Sequence, residues 1–240
     1  MRIAFRFRWI PFVATVLLVS LGVSLGRWQE RRAEQKTALA AKLQAGNAAA
    51  PLTLEPRPMA AEALEWRRVA VSGQFLPQWA LYLENRPYQG RAGFYVLMAF
   101  KIAGSDLHVL VERGWLPRNT AQRERMHEYA TPQGTLTIEG IARLNAGHVM
   151  QLGSAPPLRP GAIVQNVDLD QLAAASGLRL QPFVLEQRSV AGQADDQLVR
   201  DWPAPSLGVE KHRGYAFQWY ALALTAFLFF VLTGFRRGTH

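Results

Sequence analysis

The side chains able to do chemistry in this sequence are few and scattered. The histidines are His108, His127, His148, His212 and His240, and no two lie within five residues of one another. A helical zinc site of the H-E-x-x-H kind needs two imidazoles one turn apart, and His127-Glu128 lacks the second. The chain has no cysteine. That removes disulfide frameworks, thiolate zinc and iron–sulfur sites, haem attachment through C-x-x-C-H and thiol-based copper transfer. Neither the G-x-S-x-G serine turn nor the G-x-x-x-x-G-K-[ST] phosphate loop occurs, so a membrane-tethered hydrolase has no motif behind it. Two segments combine arginines, a carboxylate and turn residues: Glu84 to Gly93, with Arg86 and Arg91, and Glu112 to Arg118, with Arg113. Each can bind an anion through guanidinium or form a solvated charged rim beside a strand, and their composition favours the rim.

His212 stands apart. One arginine separates it from a stretch without charge, Gly214 to Phe235, and Trp219 lies seven residues on, nearly two turns along and on almost the same helix face. An imidazole at a membrane boundary above an aromatic ring is placed to ligate or anchor a flat apolar cofactor such as haem. Flanked by Lys211 and Arg213, it can also belong to a basic collar, the commoner use of a juxtamembrane histidine.

The elements that must position these residues begin with the two ends of the chain. Trp9 to Gly26 and Gly214 to Phe235 carry no charged side chain. As helices they span roughly 27 and 33 Å against a hydrocarbon core of about 30 Å. A cleaved signal peptide is the alternative for the first, with Ser24-Leu25-Gly26 as a small-x-small site, but the run exceeds the usual apolar length of about 15 residues. Trp28 follows the first span, and Tyr215, Trp219 and Tyr220 open the second, where amphipathic rings favour the headgroup level. Gly22 and Gly26 form a G-x-x-x-G pair that lets another helix approach closely or is merely tolerated in a span.

Of 27 basic and 18 acidic residues, Arg2, Arg6, Arg8, Arg236 and Arg237 lie in acid-free tails. The positive-inside rule puts both tails in the cytoplasm and sends residues 27–213 outward. The formal charge of +9 is thus largely topogenic, and a nucleic-acid partner is not expected; lipid is.

Between the spans, residues 27–44 are rich in helix formers and read as a stalk, with Gly46-Asn47 and Pro51 to stop it. Alternating patterns then mark strands at 68–75, 80–84, 94–100, 107–111, 135–140, 162–167 and 183–187. A helix follows Asp168 as N-cap, with Leu169, Leu172 and Ala173 as its stripe and Gly177 as its stop; a second is expected over Ala121 to Tyr129. The expected core is Val69, Val71, Phe75, Leu81, Leu83, Val96, Leu110, Ile138, Val164 and Val184. The fold class is a membrane α+β protein, with two terminal transmembrane helices flanking a mainly β, barrel-like extracytoplasmic domain. Its divisions are a tail at 1–8, a span at 9–26, a stalk at 27–44, the outer domain at 45–213, a span at 214–235 and a tail at 236–240.

Four motifs in order carry a family resemblance. They are Leu25-Gly26-x-Trp28-Gln29-x-x-Arg32-x-x-x-Lys36, Arg68-Val69-x-Val71-x-Gly73-x-Phe75, Val109-Leu110-Val111-x-Arg113-Gly114-Trp115-Leu116-Pro117-Arg118, and Lys211-His212-x-x-Tyr215-x-x-Gln218-Trp219-Tyr220-x-Leu222-Ala223. Together they resemble the Surfeit locus protein 1 family, from the first span to the last. Lys211, Gln218 and Gln35 stand where the family usually has Asn, Thr and an aromatic residue.

The resemblance implies a non-enzymatic assembly factor, a membrane chaperone for a haem-copper terminal oxidase of the cytochrome c type. It implies a bacterial inner membrane, and partners in the oxidase catalytic subunit and the haem A synthesis machinery. It also implies a contact to haem A, held tightly or in transit, with His212 as axial ligand to the iron and Trp219 and Tyr215 as cofactor-binding aromatics. Lys211, Arg213 and Arg27, Arg31 or Arg32 are then available to the propionates. The alternative is a cofactor-free scaffold of a membrane complex.

Overall fold

In a computed structural model of the chain, which describes residues 3–5, 7–122, 125–151, 153–188, 195–203 and 207–237, the elements follow in the order β1 (Ile3–Phe5), α1 (Trp9–Ala48), β2 (Leu52–Thr53), α2 (Ala61–Leu64), β3 (Arg68–Leu83), β4 (Gly93–Ile102), β5 (Leu107–Pro117), β6 (Leu136–Arg143), β7 (Ile163–Val164), α3 (Leu169–Ser176), β8 (Arg179–Gln187), α4 (Val209–Gly234) and β9 (Phe235–Arg237). Contacts divide the chain into two units, residues 1–42 with 204–240, and residues 43–203.

In the first unit, α1 and α4 are each long and apolar enough to cross a membrane. Pro11 is tolerated in the first turn of α1, where its missing amide has no partner to lose. The two helices run antiparallel. Phe12 meets Phe230 with ring centroids 5.8 Å apart, and farther along α1 Gly22 lies against Ala223 and Gly26 against the Tyr220 ring. A Cβ on Gly22 would stand 2.9 Å from that of Ala223, so the glycine pair is where the helices close up. The outward faces carry exposed Ile10, Leu17, Phe217, Phe229 and Leu232, apolar side chains that a lipid solvent accepts and water does not. β1 and β9 pair antiparallel, Ala4 opposite Arg236, which brings the two tails together.

The second unit is mainly sheet. β3 pairs with β4, β4 with β5, β5 with β8, β8 with β6, and β6 again with β3. The pairings thus close into a ring of five strands, all antiparallel except β5 with β8. β3 closes it by changing partners along its length: Arg68–Gly73 pair with β6 and Gly73–Leu83 with β4.

The two strands expected at 68–75 and 80–84 are this one strand. Pro77 cannot donate to a ladder, and it falls in a bulge between Leu76 and Ala80 that breaks the register without ending the strand. All ten residues expected in the core are buried, but on different sides of the sheet. Val69, Val71, Phe75 and Ile138 join Phe100, Val109 and Phe183 in one cluster. Leu81, Leu83, Leu110, Val164 and Val184 pack under α3 with Leu172 in another. Val96 belongs to a third, with Leu116 and Leu198. The bulge exchanges the faces of β3, so odd positions before it and after it point into different clusters.

Asp168 caps α3, its carboxylate accepting from the Gln171 amide at 2.9 Å, and Gly177 ends it at φ 70°. Gly46 lies within the last turn of α1 rather than ending it, at a spot where the Trp66 carbonyl leaves no room for a Cβ. The helix expected over Ala121 to Tyr129 is absent from the described part of that stretch. Its polar groups are engaged elsewhere: Asn119 Oδ1 accepts from the Ala121 and Gln122 amides, and the Tyr129 hydroxyl meets that of Tyr82 at 3.2 Å. The strand expected at 162–167 shrinks to β7, because the Asn166 side chain bonds both backbone groups of Val149.

The larger correction concerns Glu112 to Arg118. This is no solvated rim but the second half of β5, in which every residue from Leu107 to Leu116 is buried. Arg113 is fully buried. Its guanidinium donates to Asp196 at 2.8 Å, to Thr131 at 2.8 Å and to the Ala130 carbonyl at 3.0 Å, and lies 4.5 Å from the centroid of the Phe75 ring. Arg200 also pairs with Asp196. Arg86 of the Glu84–Gly93 loop is buried as well, with the Trp115 indole donating to its carbonyl at 2.7 Å.

Candidate cofactor-binding site

His212 lies in the first turn of α4, four residues after the N-cap Gly208, whose φ of 57° suits glycine. It is half-buried. Its Nδ1 is 2.7 Å from Oε1 of Gln29 on α1. An amide oxygen only accepts, so Nδ1 is the donor, and in the neutral tautomer this leaves the lone pair on Nε2. The glutamine thereby fixes both the tautomer and the ring plane, as the outer partner of a metal-bound histidine does.

The rest of the site follows from helical spacing. Ala216 and Ala223 are the buried residues of this face, small enough to let α4 lie close to α1. Trp219 is half-buried, with its carbonyl beside Gly22, while Tyr215 is 52% exposed. Tyr220 turns to α1 instead, its hydroxyl donating to Glu30 at 2.8 Å. Two of the expected propionate partners are engaged: Arg213 pairs with Glu210 at 3.2 Å, and Arg32 donates to Gln35 and lies over Trp28. Lys211 is exposed.

Among the described residues no three His, Asp or Glu side chains gather as a site for a metal ion. What the described residues offer here is one imidazole held by Gln29, with Tyr215 and Trp219 three and seven residues further along α4. His108, His127 and His148 belong to the sheet unit. His108 is buried in β5, its Nδ1 unpartnered and its pKa pulled down by burial; His127 is exposed; His148 lines a cleft considered below. His240 falls outside the described residues.

Gln29 was not legible as a site residue. It stands in the Trp28-Gln29 motif, but nothing in an uncharged stalk residue signals a partner 183 positions away. The other motifs of the resemblance prove architectural. Arg68 pairs with Glu139 at 2.9 Å, Gly73 admits the Lys101 carbonyl, and Phe75 and Arg113 stack in the core.

A mainly sheet unit joined to two terminal helices long and apolar enough to cross a membrane is the architecture of a two-pass membrane protein. The chain belongs to the SURF1 family, whose sequence profile matches residues 16–224. It is 33% identical over 141 residues to a SURF1-like protein of Monosiga brevicollis, covering 54% of this chain and 52% of that one. With Surfeit locus protein 1 of Rattus norvegicus it shares 27% identity over 228 residues, 86% of this chain and 70% of the rat protein. With the cytochrome oxidase assembly protein SHY1 of Saccharomyces cerevisiae it shares 30% over 118 residues, 45% of this chain and 29% of the yeast protein. The chain thus spans about half the length of the Monosiga protein it matches.

Proposed function

We propose that this protein is a non-enzymatic, two-pass assembly factor for a haem-copper terminal oxidase, acting on the catalytic subunit at the stage when haem A is delivered. Family membership and the similarity to a yeast protein named for cytochrome oxidase assembly support the first half of this reading. The observation that carries the second is the Gln29–His212 hydrogen bond. It leaves Nε2 as a ready axial donor, with Tyr215 and Trp219 on the same stretch of α4 to meet an apolar ring. Bound haem would supply an iron centre that takes one imidazole from this chain. The chain's own part is to hold that imidazole in one tautomer, to offer apolar contact beside it, and to keep Lys211 near the membrane boundary for a carboxylate.

The two acid-free basic tails, brought together by β1 and β9, support a topology with both termini in the cytoplasm of a bacterial cell and the sheet unit on the periplasmic side of the inner membrane. The haem A synthesis machinery is the matching donor.

Absorbance in the Soret region tests the reading. Protein purified from cells that make haem A carries a Soret band and copurifies with the oxidase catalytic subunit, and His212→Ala loses the band while staying in the membrane. Undiminished haem in His212→Ala refutes the ligand role. A wild type that binds oxidase subunits and never carries haem establishes the cofactor-free scaffold instead.

A further inference from the structure

Both charged segments that the sequence offered as alternatives between anion site and solvated rim meet in one place within the sheet unit, and the haem reading uses neither. A cleft of about 210 Å³ is lined by Arg86, Glu112, Tyr95, Arg143, Glu186 and Trp202, with His148 and Val149 at its edge. Glu112 lines the cleft and is 3% exposed, and its carboxyl makes no hydrogen bond or ion pair with another described residue. Arg86 is 7% exposed. It donates only to the carbonyls of Glu84, Gly147 and Gln165, at 3.2, 3.3 and 3.3 Å, and pairs with none of the described carboxylates. Arg143 and Glu186 neutralise one another at 2.7 Å, and Arg143 is stacked on Trp66 at 3.9 Å.

A buried carboxyl without a partner is costly, and the guanidinium of Arg86 beside it is held by carbonyls and not by a carboxylate; together they mark a place built for a third component. The charges say which. Burial is the main reason the Glu112 carboxyl is pushed up to about 8, with Glu186 adding to it and Arg143 and Arg86 opposing. At neutral pH it is therefore a hydroxyl donor without charge. With Arg143 and Glu186 cancelled, the surplus is the single positive charge of Arg86. The Tyr95 phenol, whose pKa burial also raises, is a second neutral donor beside it. With Arg143 and Glu186 paired, a cation entering the cleft would face Arg86; a carboxylate would find that guanidinium and two hydroxyls, with the Trp202 ring, set edge-on to Tyr95 at 5.0 Å, as an apolar wall.

We propose that this cleft is a binding site for a carboxylate bearing a short apolar or aromatic group, its oxygens accepting from Arg86, Tyr95 and Glu112 and its tail resting on Trp202. The carboxylate belongs either to a free organic acid or to the C-terminus of a polypeptide. The site is built from residues of the sheet unit alone and does not rest on the haem reading.

Titration calorimetry on the full chain in detergent micelles tests it with benzoate, a short alanine peptide bearing a free C-terminal carboxylate, and the same peptide amidated. Benzoate is expected to bind saturably at pH 6.5. If the Glu112 proton is required, its affinity falls about thirtyfold by pH 9.5, in proportion to the protonated fraction of a group titrating near 8. Glu112→Gln keeps a neutral donor, so it retains binding and flattens the pH profile, and its unchanged β circular dichroism certifies the fold. Arg86→Gln loses binding at least tenfold. A free peptide that binds more tightly than benzoate, with the amidated one inert, assigns the site to a polypeptide terminus; benzoate binding at least as tightly assigns it to a free acid. Absence of saturable binding by both carboxylates, a wild-type affinity indifferent to pH, or benzylamine binding in their place overturns the proposal.

Discussion

Replacing Asp196 with Asn probes the interior of the sheet unit by exchanging one carboxylate oxygen for an amide NH2 and removing one charge. Asp196 is 5% exposed and is the counter-ion of both Arg113, which is fully buried, and Arg200. Arg113 cannot shed its proton to escape, because a guanidinium stays charged, even though burial lowers its pKa. Its remaining acceptors, the Thr131 hydroxyl and the Ala130 carbonyl, and the Phe75 ring are dipoles and a quadrupole, not a charge. Removing one partner of such a pair costs about 3–5 kcal/mol, most of it the penalty of a buried cation left alone. For a cooperative unit of this size, that is a fall in melting temperature on the order of 10 °C.

The assay is thermal unfolding of the full chain in detergent, followed by the β circular dichroism signal. The double variant Arg113→Met, Asp196→Asn removes the stranded guanidinium as well, and its loss should fall short of the sum of the two singles by more than about 2 kcal/mol. An Asp196→Asn melting curve within about 3 °C of wild type, or single losses that simply add, would refute the argument that this buried charge depends on that carboxylate.

Three more outcomes follow from the geometry. Because the Glu112 carboxyl titrates near 8 in the folded chain and near 4.5 when exposed, the folded state holds the extra proton between those values, so its contribution to stability falls as pH rises across that window, by about 5 kcal/mol at most; Glu112→Gln should remove that part of the slope, read as the difference between the wild-type and variant melting profiles from pH 5 to 8.5. Gly22→Leu drives a side chain into Ala223 and the Trp219 carbonyl, an overpacking cost of about 1–3 kcal/mol, and should slow bismaleimide cross-linking of Phe12→Cys with Phe230→Cys in a chain that has no cysteine of its own. Alkaline phosphatase fused after His240 should be inactive and, inserted at the exposed Gly104 turn of the sheet unit, active; the reverse pattern contradicts the topology.

The apolar runs, the capped helix after Asp168 and the buried alternating positions were legible because each rests on local pattern: length without charge, an N-cap with a left-handed stop, a period of two. Glu112 and Arg113 were not, since a charged pair at the end of an apolar strand looks the same whether it meets water or a partner, and Arg113's partner lies 83 residues on. Pro77 hid the continuity of β3 by the same logic: a proline in a strand signals a break, and only the register shift at Leu76/Ala80 reveals a bend instead. His212 drew attention in the sequence by its position beside the second apolar run. Gln29, which sets its tautomer, did not, because a tertiary hydrogen bond leaves no periodic trace.

The ring order of the sheet also bears on how a nascent chain can mature. β6 is synthesised before β8, yet β8 lies between it and β5. Until Gln187 has left the ribosome, the finished strands β5 and β6 each present a row of unpaired amides and carbonyls, and seating β8 requires a parallel pairing across the whole interval from Leu107 to Gln187. Non-local pairing of that kind is slow, and open strand edges invite other chains. A polypeptide that ends between Arg143 and Arg179 is therefore left with two adhesive edges and no means of sealing them, whereas one that ends beyond Gln187 keeps every strand of the closed circuit.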